Sequence, residues 1–125
     1  MLGAKEAMAT VAVRDLDKAK RFYEGTLGLE LTDQQEQEAL TYQAGGTKLL
    51  VYRSQYAGSN KATATTWVIG NEMEKLVQQL RGKGVAFEHY NLPGMTLKGD
   101  IQVADGMKAA WFKDPDGNIH ALVSG

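Results

Sequence analysis

The chain holds two histidines, His89 and His120, and no cysteine, so metal or acid-base chemistry has to be assembled from these imidazoles together with carboxylates and hydroxyls. The missing cysteine removes disulfides, thiolate metal sites and a thiol nucleophile, and leaves the redox compartment open. Neither histidine belongs to a helical His-Glu-x-x-His pair. His89, flanked by Glu88 and Tyr90, could act as a base because imidazole titrates near neutrality; packing at the surface or beside the following loop is the simpler reading. His120 reads as a structural histidine. Asp114, Asp116 and Asn118 superficially suggest a calcium loop, but Gly117 comes too early for one, and the run reads as a tight turn between two strands. Gly45-Gly46-Thr47-Lys48 lacks the spacing of a phosphate loop and reads as a hairpin turn. There is no Gly-x-Ser-x-Gly elbow. Tyr52, His89, Lys98 and Asp100 remain candidates for metal-free general acid-base work, with no recognisable pair among them.

The elements that would carry these groups are written twice. Residues 8–31 and 65–87 each read strand, capped helix, strand. Val11-Ala12-Val13 followed by Asp15-Leu16-Asp17-Lys18 is echoed by Val68-Ile69-Gly70 followed by Glu72-Met73-Glu74-Lys75, and Gly28-Leu29-Glu30-Leu31 by Gly84-Val85-Ala86-Phe87. Gly46-Thr47-Lys48-Leu49-Leu50 parallels Gly117-Asn118-Ile119-His120-Ala121.

In the first half a strand over 8–13 turns its valine side to the helices. Asp15 sits where an N-cap belongs, and Leu16, Ala19, Phe22 and Tyr23 recur at helical spacing until Gly25. Strands over 29–31, 39–44 and 48–54 follow, joined by a turn over 33–38 and by Gly45-Gly46. Residues 55–64 form the natural linker. The second half opens with a strand over 65–69. Asn71 with Glu74 reads as a capping box, and Met73, Leu76, Val77 and Leu80 form the apolar stripe of a helix ended by Gly82 and Gly84. Strands over 85–89, near 101–103, 108–112 and 118–123 complete it. The loop over 90–100 is longer than its counterpart and reads as a binding loop or lid. The expected class is α+β: one domain over 1–125 made of two βαβββ modules, about 8–54 and 65–123.

At 125 residues the chain fits one compact domain with a real core. Fourteen basic against fifteen acidic residues give a net charge of -1, so no summed field exists to capture nucleic acid, an anionic membrane or a strongly cationic partner. No apolar run approaches the roughly 20 residues of a membrane-spanning helix, and residues 1–7 lack a secretory signal's apolar core. A soluble cytoplasmic protein is expected, with neither nucleic-acid nor membrane partners.

The segments Val11-Ala12-Val13-Arg14-Asp15-Leu16 with Phe22-Tyr23, Leu27-Gly28-Leu29, and Phe112-Lys113-Asp114-Pro115-Asp116-Gly117-Asn118 make the chain resemble the vicinal oxygen chelate superfamily. This is the glyoxalase, bleomycin-resistance and extradiol-dioxygenase group. The resemblance covers essentially the whole chain. It implies an open barrel of two modules, a homodimer, and a ligand in the concave cleft between the halves. It does not choose an activity, since the group includes metal-dependent isomerases, lyases and dioxygenases beside sequestering proteins that do no chemistry.

Where catalytic members place metal ligands, the resemblance assigns Met8, Leu50, Thr65 and Ala121. None is a histidine, carboxylate or amide, and a thioether or lone hydroxyl is a poor donor to a divalent cation. No metal and no cofactor is therefore expected, and metal-dependent glyoxalase or dioxygenase activity is not. Strand alternation places Thr10 with Met8, Tyr52 with Leu50 and Trp67 with Thr65 on the cleft side, where Trp111 could join them. Rings with a broad apolar face and a polar tip commonly line small-molecule pockets. The expected function is metal-free binding of a small hydrophobic or aromatic molecule by Met8, Thr10, Leu50, Tyr52, Thr65, Trp67, Tyr90, Trp111 and Ala121. The alternative is a metal-independent lyase or isomerase using Tyr52, His89, Lys98 or Asp100 at the cleft mouth. A further alternative is an interaction module whose rings simply fill the core.

Overall fold

Val11 and Val13 are buried while Thr10 stays exposed, the alternation of a strand covered on one face, in the structure, a computed structural model that describes residues 1–124. This strand, β1 (Ala9–Val13), belongs to a first unit spanning Met1–Asn60; a second begins at Lys61. Asp15 caps α1 (Leu16–Lys20) by accepting from the amides of Asp17 at 3.0 Å and Lys18 at 3.2 Å. The helix does not stop at Gly25. It widens into a π turn, Arg21–Thr26, in which the Leu27 amide reaches back to the Phe22 carbonyl at 2.9 Å. Fully buried Tyr23 stacks on Tyr42 with ring centroids 6.0 Å apart, and the Tyr42 hydroxyl donates to Glu24 at 2.8 Å. Burial, then this hydrogen bond to Glu24, pushes the Tyr42 phenol well above its ordinary value.

β2 (Glu30–Gln35), β3 (Ala39–Ala44) and β4 (Thr47–Arg53) complete the first unit in the order β1-β4-β3-β2, with β1 parallel to β4. The strand expected over 29–31 thus runs on to Gln35, through most of the expected turn, before Glu36 turns with φ 50. Leu40, Tyr42, Leu49 and Val51 join Val11 and Val13 in the core under α1. Each such side chain contributes roughly 1.5–3 kcal/mol by leaving water.

The second unit is built on β5 (Thr63–Val68), α2 (Met73–Gly82), β6 (Phe87–Glu88), β7 (Thr96–Lys98), β8 (Ile101–Ala104), β9 (Met107–Lys113) and β10 (Ile119–Val123). Its sheet runs β5-β10-β9-β8-β7, with β6 paired to the other end of β9 and β5 parallel to β10. The expected capping box is absent: Glu72 occupies the N-cap position and makes no side-chain cap. β7 forms inside the segment read as loop, pairing with β8 about a turn at Gly99, where φ is 64. β6 and β8 occupy the same edge of β9, so residues 89–100 are an excursion from a single interrupted edge strand.

Lys108 of β9 reaches both carboxylate oxygens of Glu74 on α2 at 2.9 Å, so the face of β9 bearing Lys108, Ala110 and Phe112 lies toward α2. Register carries that face to Leu122 and His120 of β10, and from them to Trp67 and Thr65 of β5. The opposite face carries Ala109, Trp111, Ala121, Thr66, Gln102 and Glu88. Trp67 and Thr65 therefore share a face with His120 and not with Ala121, which corrects the placement expected from sequence. The reason is one residue. Between the last helix-facing residue and the N-cap stands Arg14 in the first unit, but Gly70 and Asn71 in the second, with Gly70 at φ 63. Counting back from the helix thus lands one residue out, and a slip of one exchanges the faces of a strand.

The turn before β10 is held by the buried carboxylate of Asp114, which accepts from the Asp116 and Asn118 amides at 2.9 Å and from the Asn118 side-chain amide at 2.8 Å. Asp114→Ala is expected to destabilise the protein by about 3 kcal/mol, since hydrogen bonds to a charged acceptor contribute most when buried. Asp17→Ala, at an exposed first turn, should cost under about 1 kcal/mol; urea unfolding of both variants checks the difference.

Candidate functional site

The four positions implied for a metal do not fit one. In the first unit Leu50 registers with Thr10 and Thr41, and Tyr52 with Ala12 and Ala39. Thr10, Leu50 and Tyr52 thus share the sheet face turned away from α1, as expected, with Tyr52 40% exposed. Met8 precedes β1 and is 43% exposed. In the second unit Thr65 lies on the His120 face, and Ala121, almost wholly buried, lies on the other. Together they supply one thioether and one hydroxyl, where a divalent cation requires imidazoles and carboxylates. Among the described residues no group of three or more His, Cys, Asp or Glu side chains is placed to hold a metal ion.

Trp67 is committed elsewhere. Its indole N–H donates to Nδ1 of His120 at 3.1 Å, and the imidazole stacks on Phe112 with centroids 5.1 Å apart and planes 9° from parallel. Phe87 meets Phe112 edge-on at 5.9 Å. His120 is wholly buried, and burial pushes its imidazole down to about 4, with Asp114 pulling weakly the other way. A neutral ring accepting at Nδ1 suits a core histidine, as its sequence position suggested.

The opposite face assembles a different group. Trp111 registers with Ala121 on one side and with Glu88 on the other. Tyr90, two residues past Glu88, meets Trp111 edge to face, with centroids 5.4 Å apart and planes at 79°. The backbone of Tyr90 is clamped by the buried side chain of Gln102, which accepts from its amide at 2.9 Å and donates to its carbonyl at 2.7 Å. A glutamine so used replaces the ladder that the edge strand abandons at residue 89. The Tyr90 hydroxyl is buried and has no hydrogen-bond partner among the described residues. Burial, then Glu88, holds its phenol above the ordinary value, while Lys113 pulls it down. Lys113 and Glu88 pair at 3.5 Å.

His89 points the other way along the alternating chain, and Nε2 meets Asp100 Oδ1 at 2.7 Å while Arg81 of α2 holds Asp100 Oδ2 at 3.1 Å. The sequence showed no such pair, because residues 89 and 100 meet only when the excursion closes. Gln102 was also missed; a glutamine between Ile101 and Val103 looks like an ordinary solvent-facing strand position. Lys98 lies exposed on β7.

The sequence pattern of the Glyoxalase/Bleomycin resistance protein/Dioxygenase superfamily matches residues 7–122, and the chain belongs to that family. No curated protein matches it. Among solved structures, an integron cassette protein from the mobile metagenome of the Halifax Harbour sewage outfall aligns with a TM-score of 0.73 and 19% identity, covering 97% of this chain and 99% of that one. A lactoylglutathione lyase from Agrobacterium tumefaciens aligns at 0.72 and 18% over 95% and 92% of the two chains. The fosfomycin resistance protein FosX from Mesorhizobium loti aligns at 0.70 and 13% over 98% and 92%. These likenesses establish the fold, α+β with two mixed sheets, and no helix among the described residues is long and apolar enough to cross a membrane.

The buried imidazole makes stability depend on pH in a definite direction. Above pH 6.5 His120 is neutral folded and unfolded; as pH falls toward 4 the unfolded chain takes a proton that the folded one refuses. Stability present above 6.5 is thus lost on the way down to 4, by about 3 kcal/mol from this group. His120→Gln should remove this part of the pH dependence, leaving a shallower urea-midpoint profile between pH 7 and 4. An imidazole resonance of His120 titrating near 6.5 would contradict the assignment.

Proposed function

We propose that this member of the superfamily is a metal-independent small-molecule-binding protein that holds a hydrophobic or aromatic compound on a sheet face turned away from the helix of its unit. Trp111, Tyr90 and Ala121 form the binding wall in the second unit; Met8, Thr10, Leu50 and Tyr52 are a separate candidate surface within the first. Trp67 and Thr65 leave the ligand set, because the His120 stack occupies their face. The observation that carries the reading is the Trp111 corner: Trp111 of β9 meets Tyr90 of the excursion edge to face, and the neighbouring strand sets opposite it Ala121, a position that the family resemblance implies for a metal ligand. A methyl group there cannot bind a cation. Two structural neighbours are named for fosfomycin and lactoylglutathione, small organic molecules, which supports a ligand of that size. A homodimer accords with the family resemblance.

The His89 and Asp100 pair favours a second reading, a metal-independent lyase or isomerase. Asp100 fixes the imidazole by its Nε2 side, which would direct Nδ1 toward a substrate proton. Turnover of glyoxalase-type substrates that survives chelation and disappears in His89→Ala would establish it; turnover abolished by chelation would sink both readings.

For the binding reading, an aromatic compound library followed by tryptophan fluorescence should yield hits that Trp111→Ala weakens by about 10- to 100-fold, the loss expected when one ring face of contact is removed. Trp67→Phe should leave their affinity within about 2-fold while lowering stability, since it loses the hydrogen bond to His120. Hits indifferent to Trp111→Ala overturn the reading.

A further inference from the structure

The excursion of residues 89–100 is closed at its neck by charge. Its first residue meets its last: His89 Nε2 lies 2.7 Å from Asp100 Oδ1, and Arg81 of α2 holds Asp100 Oδ2 at 3.1 Å. Between those ends Leu92 and Leu97 are 38% and 46% exposed, so the large apolar side chains of the excursion do little to fasten it to the sheet. Gly94 and Gly99 turn the chain with φ 79 and 64, and β7 is tied back through its pairing with β8. Tyr90 is the inner attachment, by its ring on Trp111 and by its backbone on Gln102. These holds differ in what alters them. A ring contact and two neutral hydrogen bonds are indifferent to pH, whereas an imidazole takes up a proton near neutrality and its hydrogen bond to a carboxylate then becomes charge-assisted.

We propose that His89, Asp100 and Arg81 form a pH-sensitive clasp on the excursion, tightened when the imidazole is protonated and loosened above neutrality. The binding reading supplies only a use for the opening, since lifting the excursion takes Tyr90 off Trp111; the clasp rests on its own geometry. Arg81 keeps its charge throughout, so Asp100 stays anchored to α2 and only the imidazole's share of the pairing varies. Lys83, just past α2, and Lys98 on β7 are further charged side chains of the surrounding elements. Glu72 pairs with Lys75, Glu74 with Lys108, and Glu88 with Lys113. Among all these side chains an imidazole alone ordinarily changes charge between pH 5 and 8. The effect runs opposite to that of His120, whose burial makes the whole fold less stable as pH falls. The two histidines are therefore separable by the sign of their response and by the residues that show it.

Hydrogen exchange of the Tyr90 and Met95 amides, which donate to Gln102 at 2.9 Å and to the Leu92 carbonyl at 3.2 Å, reads the opening once corrected for the chemical exchange rate at each pH. In the full chain their protection is expected to fall ~3-fold from pH 5.5 to pH 8, the scale of an ion pair whose imidazole is 47% exposed, while amides of β9 and β10 show no such fall. His89→Gln keeps a neutral donor beside Asp100 and should give the lower protection at both pH values. Protection that is unchanged by pH, that falls equally in His89→Gln, or that falls together with β9 and β10 overturns the clasp. Library hits indifferent to Trp111→Ala bear on the binding reading alone, because the exchange measurement involves no ligand.

Discussion

Period-two alternation, anchored by the helix that covers each sheet, is the constraint from which the rest of this molecule follows. Once α2 is placed over Lys108, Ala110 and Phe112, the residues of β9, of β10 from His120 and of β5 from Thr65, beyond the register shift between those two strands, are committed to one face or the other. Trp67 goes to the covered face and becomes the partner of His120. Trp111 goes to the opposite face and meets Tyr90. Two tryptophans of similar chemistry thus acquire unrelated tasks because of parity alone.

On the covered face the second unit solves a polar problem. A wholly buried imidazole must have its ring nitrogens provided for, and Trp67 supplies the donor for Nδ1 while Phe112 covers the ring. Asp114, in the turn that leads into β10, fixes the start of the strand that presents His120. The acidic turn that superficially suggested a calcium loop uses the Asp114 carboxylate on its own amides.

The face turned away from α2 carries rings and small side chains in place of chelating ones. Cation sites need charged or imidazole donors converging on a point, whereas apolar ligands need area. Ala121 stands in register with Trp111. The excursion of residues 89–100 adds Tyr90 to it, and Gln102 substitutes for the missing strand by pairing with the Tyr90 backbone.

The sequence by itself determined the two βαβββ modules, the family, the α1 cap at Asp15, the stripe of α2 and the absence of donors at Met8, Leu50, Thr65 and Ala121, because these depend on local periodicity and residue type. It also placed Thr10, Leu50 and Tyr52 correctly on one face, since no irregularity intervenes between β1 and α1. Only the tertiary structure decided the face of Trp67 and Thr65, because the additional residue at Gly70 leaves the pattern of hydrophobic residues readable while reversing what each one faces. It alone brought His89 to Asp100 and Gln102 to Tyr90, contacts made across an interrupted edge strand whose two pieces pair with the same β9. Pairings of that kind are set by where the chain returns, which depends on the whole sheet and leaves no periodic trace in the residues themselves.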